Sequence, residues 1–303
     1  MNRKPLWLIA TLAVVATLAA ACGSTSPGGT QSKGTLTIAG FDFAESSILS
    51  QLYGQALAHD GYTVNYKARL GKREVVAPAL KAGQIDMYPG YAATDLEYYD
   101  NAAGEASGDV TATVAKLNSH LQPLSLQALT PSQAVDQNAF AVTKATAQKY
   151  NLTKLSDLAA IGDQLVLGAG PECPTRPFCQ PGLEKTYGIH FKSFKALDTD
   201  GPLTRAAFAN GTIQVGLVFS SDSDLNKLGL VVLQDDKHLE NADNVVPIIR
   251  TQVATDEVKS VLNKISANLT TGQLVTLNGQ VELQHQDADA VAAAFLQQHN
   301  YFS

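Results

Sequence analysis

From residue 34 onward the apolar positions of this chain alternate between two rhythms. Short runs, apolar at every second position or throughout, read as strands at Thr35–Ala39, Tyr62–Ala68, Ile85–Tyr88, Leu165–Gly168, Ile213–Phe219 and Leu230–Gln234. Segments with a three-to-four spacing read as helices between them. Ile48, Leu49, Leu52, Tyr53, Ala56 and Leu57 share one face of the first. Others are expected over Glu74–Ala82, Val110–Leu121, Leu155–Ala159, Leu183–Tyr187 and Leu203–Asn210, with a helical tail over Thr255–Asn268, Thr271–Leu277 and Asp287–Gln298.

One phrase occurs twice. Ala79-Leu-Lys-Ala-Gly-Gln-Ile-Asp-Met-Tyr88-Pro-Gly-Tyr91 is echoed by Ala207-Phe-Ala-Asn-Gly-Thr-Ile-Gln-Val-Gly-Leu-Val-Phe219. Each copy predicts the last turn of a helix, a glycine stop, an apolar strand and an aromatic at its exit. Strands this apolar suit a sheet covered on both faces. Ligands of open α/β sheets lie beyond the carboxyl ends of such strands. The duplication therefore predicts two similar α/β lobes aiming aromatic side chains at a shared cleft. The chain is expected to cross between lobes around 133–140 and to return around 238–246. The first lobe then comprises 34–136 and 238–303, and the second 137–237.

The N-terminus adds a compartment. Arg3 and Lys4 precede the apolar run Leu6–Ala21, and Ala19-Ala-Ala21 leads into Cys22, an arrangement resembling a bacterial lipoprotein signal over residues 1–21 with lipid carried by Cys22. Residues 22–33, rich in Gly, Ser and Thr, read as a flexible tether. The expected location is the outer face of the cytoplasmic membrane. An oxidising exterior favours pairing of the other two cysteines, Cys173 and Cys179, across Cys-Pro-Thr-Arg-Pro-Phe-Cys. Such a short loop shapes its surroundings more than it stabilises the whole fold.

Composition, 45% hydrophobic and 17% charged, is that of a globular protein. Without Arg3 and Lys4 there remain 20 Lys+Arg against 28 Asp+Glu, a net charge of −8, which argues against nucleic acid as a partner. Catalysis finds no support. The six histidines at 59, 120, 190, 238, 285 and 299 lack metal-ligand spacing, and Ser220-Ser-Asp222 lacks a Gly-x-Ser-x-Gly elbow. No cofactor or metal is expected.

Several motifs together resemble the osmoprotectant-binding lipoproteins of ABC importers, the glycine betaine, carnitine and choline group. They are Gly83-Gln-Ile-Asp-Met-Tyr-Pro-Gly-Tyr91, the opening Phe41-Asp-Phe-Ala-Glu45, Pro181-Gly-Leu-Glu-Lys-Thr-Tyr-Gly188 and Asp235-Asp-Lys237. The resemblance implies a periplasmic-binding-protein-like type II fold, two α/β lobes joined by two hinge strands. It also implies a small-molecule solute, permease and ATPase partners, a monomer and no enzymatic activity.

Tyr88 and Tyr91 fall on that family's tyrosine-bearing motif. Quaternary ammonium groups, having no donor, are held against several ring faces. Elsewhere the chain departs from the pattern: Phe41 and Phe43 flank Asp42, Phe140 ends Asn138-Ala-Phe140, and Phe219-Ser220-Ser-Asp222 replaces a tyrosine-terminated strand. The segment 238–244 carries no aromatic, and Lys72 and Arg73 stand where small residues are usual. Lys72, Arg73 and Arg176 read either as cleft cations or as solvated charges, and Asp42 and Asp222 either as pocket groups or as helix caps. Tyr98 and Tyr99 read as surface or packing residues. The expected function is capture of a compatible solute for import. The alternatives are the same fold binding an aromatic or acidic solute, and a lipid-anchored sensor or interaction module.

Overall fold

The structure, a computed structural model, describes residues 32–301 except 199 and 226. The expected signal segment, Cys22 and most of the tether lie outside the described residues.

The elements run β1 (Thr35–Phe41), α1 (Ala44–His59), β2 (Thr63–Gly71), α2 (Arg73–Lys81), β3 (Met87–Tyr91), α3 (Ala92–Tyr99), α4 (Val110–Leu121), β4 (Leu126–Ala128) and β5 (Asn138–Thr143). They continue with α5 (Lys144–Tyr150), β6 (Val166–Ala169), α6 (Gln180–Gly182), β7 (Ser193–Ala196), α7 (Pro202–Ala209), β8 (Val215–Phe219), β9 (Leu230–Val232) and β10 (Val245–Arg250). The helices α8 (Asp256–Ser266), α9 (Thr271–Glu282) and α10 (Ala288–Gln298) close the chain.

Two five-stranded sheets form, ordered β2-β1-β3-β10-β4 and β7-β6-β8-β5-β9. In each, three parallel strands are followed by an antiparallel one: β10 runs against β3, and β5 against β8. The duplicated phrase thus occupies equivalent strands, β3 and β8, and both strands are almost wholly buried. The preceding glycines take the left-handed conformation that ends a helix, Gly83 at φ +70° and Gly211 at φ +73°.

Each sheet has its own core. Ile38, Leu49, Leu52, Leu80 and Met87 are fully buried in the first, against β10 and the tail helices. Phe140, Leu158, Leu167, Leu183 and Val215 fill the second. The tail packs on α1, where Tyr53 and Ser266 share a buried hydroxyl–hydroxyl hydrogen bond of 3.1 Å.

Between the sheets the chain crosses twice, side by side. Ser132 N–H donates to Val245 O (2.8 Å), Val245 N–H to Ala134 O (2.9 Å), and Asp136 N–H to Asp243 O (3.1 Å). The turn after β8 joins them, with Ser220 N–H on Gln137 O (2.9 Å) and Gln137 N–H on Ser220 Oγ (2.8 Å). A two-stranded crossing of this kind bends more readily than the packed sheets it joins.

Some local expectations change. Strand β3 begins at Met87, two residues later than expected, although Ile85 is fully buried. Leu183–Tyr187 forms a π-turn continuing α6, and Leu155–Ala160 is 3₁₀. Helix α3 was absent from the apolar pattern because its inner face carries a carboxylate, the fully buried Asp95. Lys33, expected in the tether, is docked: its ammonium pairs with Asp60 (3.1 Å) and Glu257, and its N–H donates to Gly61 O.

Candidate functional site

Strands β1 and β3 are parallel neighbours, so their carboxyl ends bring Phe41 and Tyr91 to one edge of the first sheet. The Phe41 ring lies 6.0 Å from Phe43 and 6.3 Å from Tyr91 between centroids, both nearly parallel. Phe219, at the end of β8 in the second sheet, meets Phe43 at 5.4 Å. Four rings from both sheets therefore line one cavity of about 60 Å³.

Buried polar groups fix these rings. Tyr91 Oη donates to Glu45 Oε1 at 2.7 Å, and burial raises the phenol well above its ordinary value. Asp95 accepts from Arg73 Nε (2.7 Å), Tyr88 Oη (2.9 Å) and the Tyr91 N–H (2.8 Å). Arg73 lies 4.9 Å over the Phe41 ring. Burial opposes its charge, but the adjoining Asp95 carboxylate prevails and holds the guanidinium above its ordinary value.

Across the cavity stand Gly170, Glu172 and the Cys173–Cys179 disulfide, whose Cα atoms are 5.2 Å apart. The loop closed by this disulfide projects Arg176 onto both oxygens of Glu74 at 3.0 Å, and Glu172 lies 3.8 Å from Lys72. These pairs join the two sides at the mouth.

Asp136 and Asp243, one from each crossing, complete the lining. Asp243 accepts from the N–H and the hydroxyl of Thr94. Burial pushes Asp243 up to about 6. Burial, reinforced by the charge of Glu45, raises Asp136 as well. The cavity thus presents aromatic faces, two carboxylates whose ionisation burial opposes, and two guanidinium groups, of which Arg73 is near enough to Asp243 to act on it. It has the means to hold a small charged solute and no nucleophile–base pair.

Residues 34–298 match the family described as the substrate binding domain of the ABC-type glycine betaine transport system. The chain belongs to this family. It is 26% identical over 298 residues to a glycine-betaine-binding protein of Pseudomonas aeruginosa, covering 95% of each chain. It is 27% identical over 313 residues to the carnitine transport binding protein OpuCC of Listeria monocytogenes, covering 100% of this chain and 99% of that one. Among solved structures it resembles a glycine betaine/carnitine/choline ABC transporter protein with TM-score 0.69 and 25% identity, over 88% of this chain and 100% of that one. As a member of this substrate-binding family it acts outside the cytoplasmic membrane, carrying a small solute to a permease, and it is not an enzyme. Among the described residues no helix is long and apolar enough to cross a membrane.

Of the residues named from sequence, Phe41, Phe43, Tyr91 and Phe219 line the cavity of this substrate-binding domain, as do Lys72, Arg73 and Arg176. The other five lie elsewhere. Asp42 is exposed and pairs with Arg69 at 2.9 Å. Tyr88 lies beneath Phe41, fully buried, with its ring 5.4 Å away. Phe140 belongs to the second core: it shares a face of β5 with the cavity-lining Asn138 but sits two residues deeper, opposite Leu217. Ser220 braces the crossing, and Asp222 pairs with Arg205 at 3.5 Å. Neither Asp42 nor Asp222 caps a helix. Tyr99 reaches Tyr88 through a 3.3 Å hydroxyl contact, whereas Tyr98 lines a second cavity.

Sequence reasoning missed Thr94, Asp136, Asn138, Glu172 and Asp243 in the lining. Asp136, Asn138 and Asp243 were within its grasp, since all three lie in the segments read as crossings.

Proposed function

We propose that this chain is the lipid-anchored capture subunit of an ABC importer for a quaternary-ammonium solute of the glycine betaine, choline or carnitine class. The observation that carries the reading is the charge layout of the cavity. Every cation in its wall is matched by a carboxylate: Lys72 by Glu172, Arg73 by Asp95, Arg176 by Glu74. Asp136 and Asp243 enter no ion pair among the described residues. The charge without an ion pair is therefore negative when these two groups ionise, and it lies near Tyr91, which favours a cationic guest that would draw them into the ionised form. Each ring face in contact with the ammonium contributes roughly 0.5–2 kcal/mol. A solute carboxylate is received by Arg73 and Arg176, as charge-assisted hydrogen bonds.

In this reading, residues 1–21 are removed, Cys22 carries lipid, and residues 22–33 lead to the binding domain. The lobes, 34–136 with 238–303 and 137–237, close about the paired crossings. Contacts made by one solute to both lobes bias the closed form. A monomer delivers that form to the permease, and an associated ATPase drives import.

A thermal-shift screen tests this reading with glycine betaine, choline, carnitine and a panel of aromatic and acidic solutes. A ligand at 100 times its dissociation constant adds about 2.7 kcal/mol of stability. Stabilisation by a quaternary ammonium is the expected result. A shift with acidic or aromatic solutes alone overturns the assignment of the solute while leaving the family intact.

A further inference from the structure

The duplicated phrase sets more than two strands in equivalence. Aligning Ala79 with Ala207 and Gly83 with Gly211 lays α2 on α7 residue for residue. The two helices bury the same positions: Val76 and Thr204, Ala79 and Ala207, Leu80 and Phe208. They expose the same positions too. Among the described residues the two most exposed large apolar side chains are Val75, at 51%, and Leu203, at 60%, and the alignment pairs them. One turn later Pro78 and Ala206, again a pair, are exposed. Each helix thus turns an apolar stripe to solvent, on the face that a surface helix ordinarily gives to polar residues. An exposed apolar residue on its own needs no explanation. Two of them at one internal position of a duplicated fold do.

Both helices start at the cleft edge of their own sheet. Lys72 and Arg73, just before Val75, line the cavity, and Glu74 takes the Arg176 guanidinium at its mouth. In the second lobe Asp200 accepts the Phe219 N–H at 3.0 Å, so the chain enters α7 beside the exit of β8. The Leu203 N–H donates to Asp198 at 2.8 Å and fixes that first turn. Val75 and Leu203 stand in different lobes, and their separation changes as the lobes close about the crossings.

A partner that meets both offers the same apolar socket twice, about a two-fold axis. Two stripes this small do not by themselves bury the roughly 1,200 Å² of a stable interface, which argues against a second copy of this chain and for a transient partner. Anchored through Cys22, the domain is tied by residues 22–31, which reach at most about 36 Å, so its partners are those embedded in the same membrane. We propose that Val75 with Pro78, and Leu203 with Ala206, are equivalent docking points for the two permease subunits, one subunit to each lobe. Sockets at a fixed spacing are filled together at a single separation of the lobes, so the permease reads closure as double occupancy. The proposal rests on the lipid-anchored importer reading given above.

Photo-crosslinking tests it. Benzoylphenylalanine is placed at position 75, 203 or 232 of the full-length chain in its native host, and the membrane adducts formed on irradiation are identified by mass spectrometry. Val232 is the control, an apolar side chain 43% exposed and outside the paired helices. Permease peptides are expected at 75 and 203 and not at 232. Val75→Asp should lower the adduct at 203 about fivefold or more, and Leu203→Asp the adduct at 75, because each stripe raises the effective concentration of the other. Melting temperatures should not change, since neither side chain is buried. Permease adducts at neither position, or equally at 232, overturn the docking points. Adducts with a second copy of the chain overturn the choice of partner. An adduct at one position that is undiminished by aspartate at the other overturns the reading of closure. The anchoring beneath the proposal is judged separately with Cys22→Ser: adducts at 75 and 203 undiminished in that variant overturn the lipid tether and leave the docking points standing.

Discussion

Tyr91 holds its ring in the cavity through a 2.7 Å hydrogen bond from its hydroxyl to Glu45, and Glu45 binds both lobes at once. The second oxygen of that carboxylate accepts from Ser221 Oγ, after β8, and from Asn278 Nδ2 on α9, each at 2.7 Å. Ring and hydroxyl therefore do separable things. Tyr91→Phe keeps the ring but leaves a buried carboxylate oxygen short of a donor, which costs about 1–3 kcal/mol of stability. The melting temperature should fall by several degrees while affinity stays within threefold. Tyr91→Ala removes the ring face as well, and affinity should fall more than tenfold with the protein still folded. Melting curves and calorimetry on both variants check this; unchanged affinity in Tyr91→Ala removes the residue from the site.

Much of this arrangement was legible in the sequence for one physical reason: buried strands and amphipathic helices repeat with a period. The glycine-stopped phrase appeared twice and marks equivalent strands, β3 and β8, and their exits supplied Tyr91 and Phe219 to the cavity. The disulfide was legible because only two cysteines remained once Cys22 was set aside. What escaped was set by depth along a strand and by buried charge. Phe140 resembles Phe219 in sequence, but β5 runs antiparallel to β8 and starts at the cleft, so Phe140 stands opposite Leu217, two residues deeper than Phe219, with its ring in the second core. Asp95, Asp136 and Asp243 escaped because a buried carboxylate breaks the apolar pattern from which burial is read. Such residues are where local rules and site chemistry conflict.

The two cavity carboxylates make binding depend on pH. Burial raises Asp243 from 3.8 to about 6, so its proton is held more tightly in the folded chain than in the unfolded one. For that group alone, the stability of the free protein is greatest below about 4 and is lost as the pH rises through about 6. A bound quaternary ammonium reverses the preference, because it favours the ionised carboxylate. Binding then releases a proton near pH 6, and affinity rises with pH and levels off above about 7. One group with this behaviour makes binding about tenfold weaker at pH 5 than at pH 7. In Asp243→Asn the pH dependence should flatten and affinity at pH 7 should fall. Calorimetry in buffers of different ionisation enthalpy counts the proton directly.

Arg205, which does not line the cavity, joins the lobes by ion pairs. From α7 its guanidinium reaches Asp224, Asp222 (3.5 Å) and, on α9, Glu282 (3.2 Å). Burial raises Asp224 to about 6 and Glu282 to about 7 even with the cation in place. Arg205→Met leaves these carboxylates crowded and uncompensated, and removal of one partner from such a cluster costs about 3–5 kcal/mol. Their folded-state values then rise further above the unfolded ones. Stability that depends on a raised carboxyl is lost as the pH increases, so the deficit of the variant should grow from pH 5 to pH 8. Urea titrations at both pH values check the sign; an equal deficit at each would show that Arg205 acts through packing alone.

The disulfide makes a contrasting prediction, because it shapes the cavity and ties together little else. Cys173 and Cys179 are separated by six positions, and both line the aromatic cavity. Closing so small a loop restrains little of the unfolded chain, and the entropic argument allows about 2 kcal/mol. The same loop positions Arg176 against Glu74 and places Thr175, Pro177 and Phe178 around the second cavity. Replacing both cysteines by serine should therefore lower solute affinity at least fivefold, with a melting temperature only a few degrees lower. The loss should be larger for solutes carrying a carboxylate than for choline, because Arg176 is the group set adrift. Calorimetry and melting curves on the double variant separate the two effects. A large loss of stability with intact binding would mean that the bridge serves the fold and not the site.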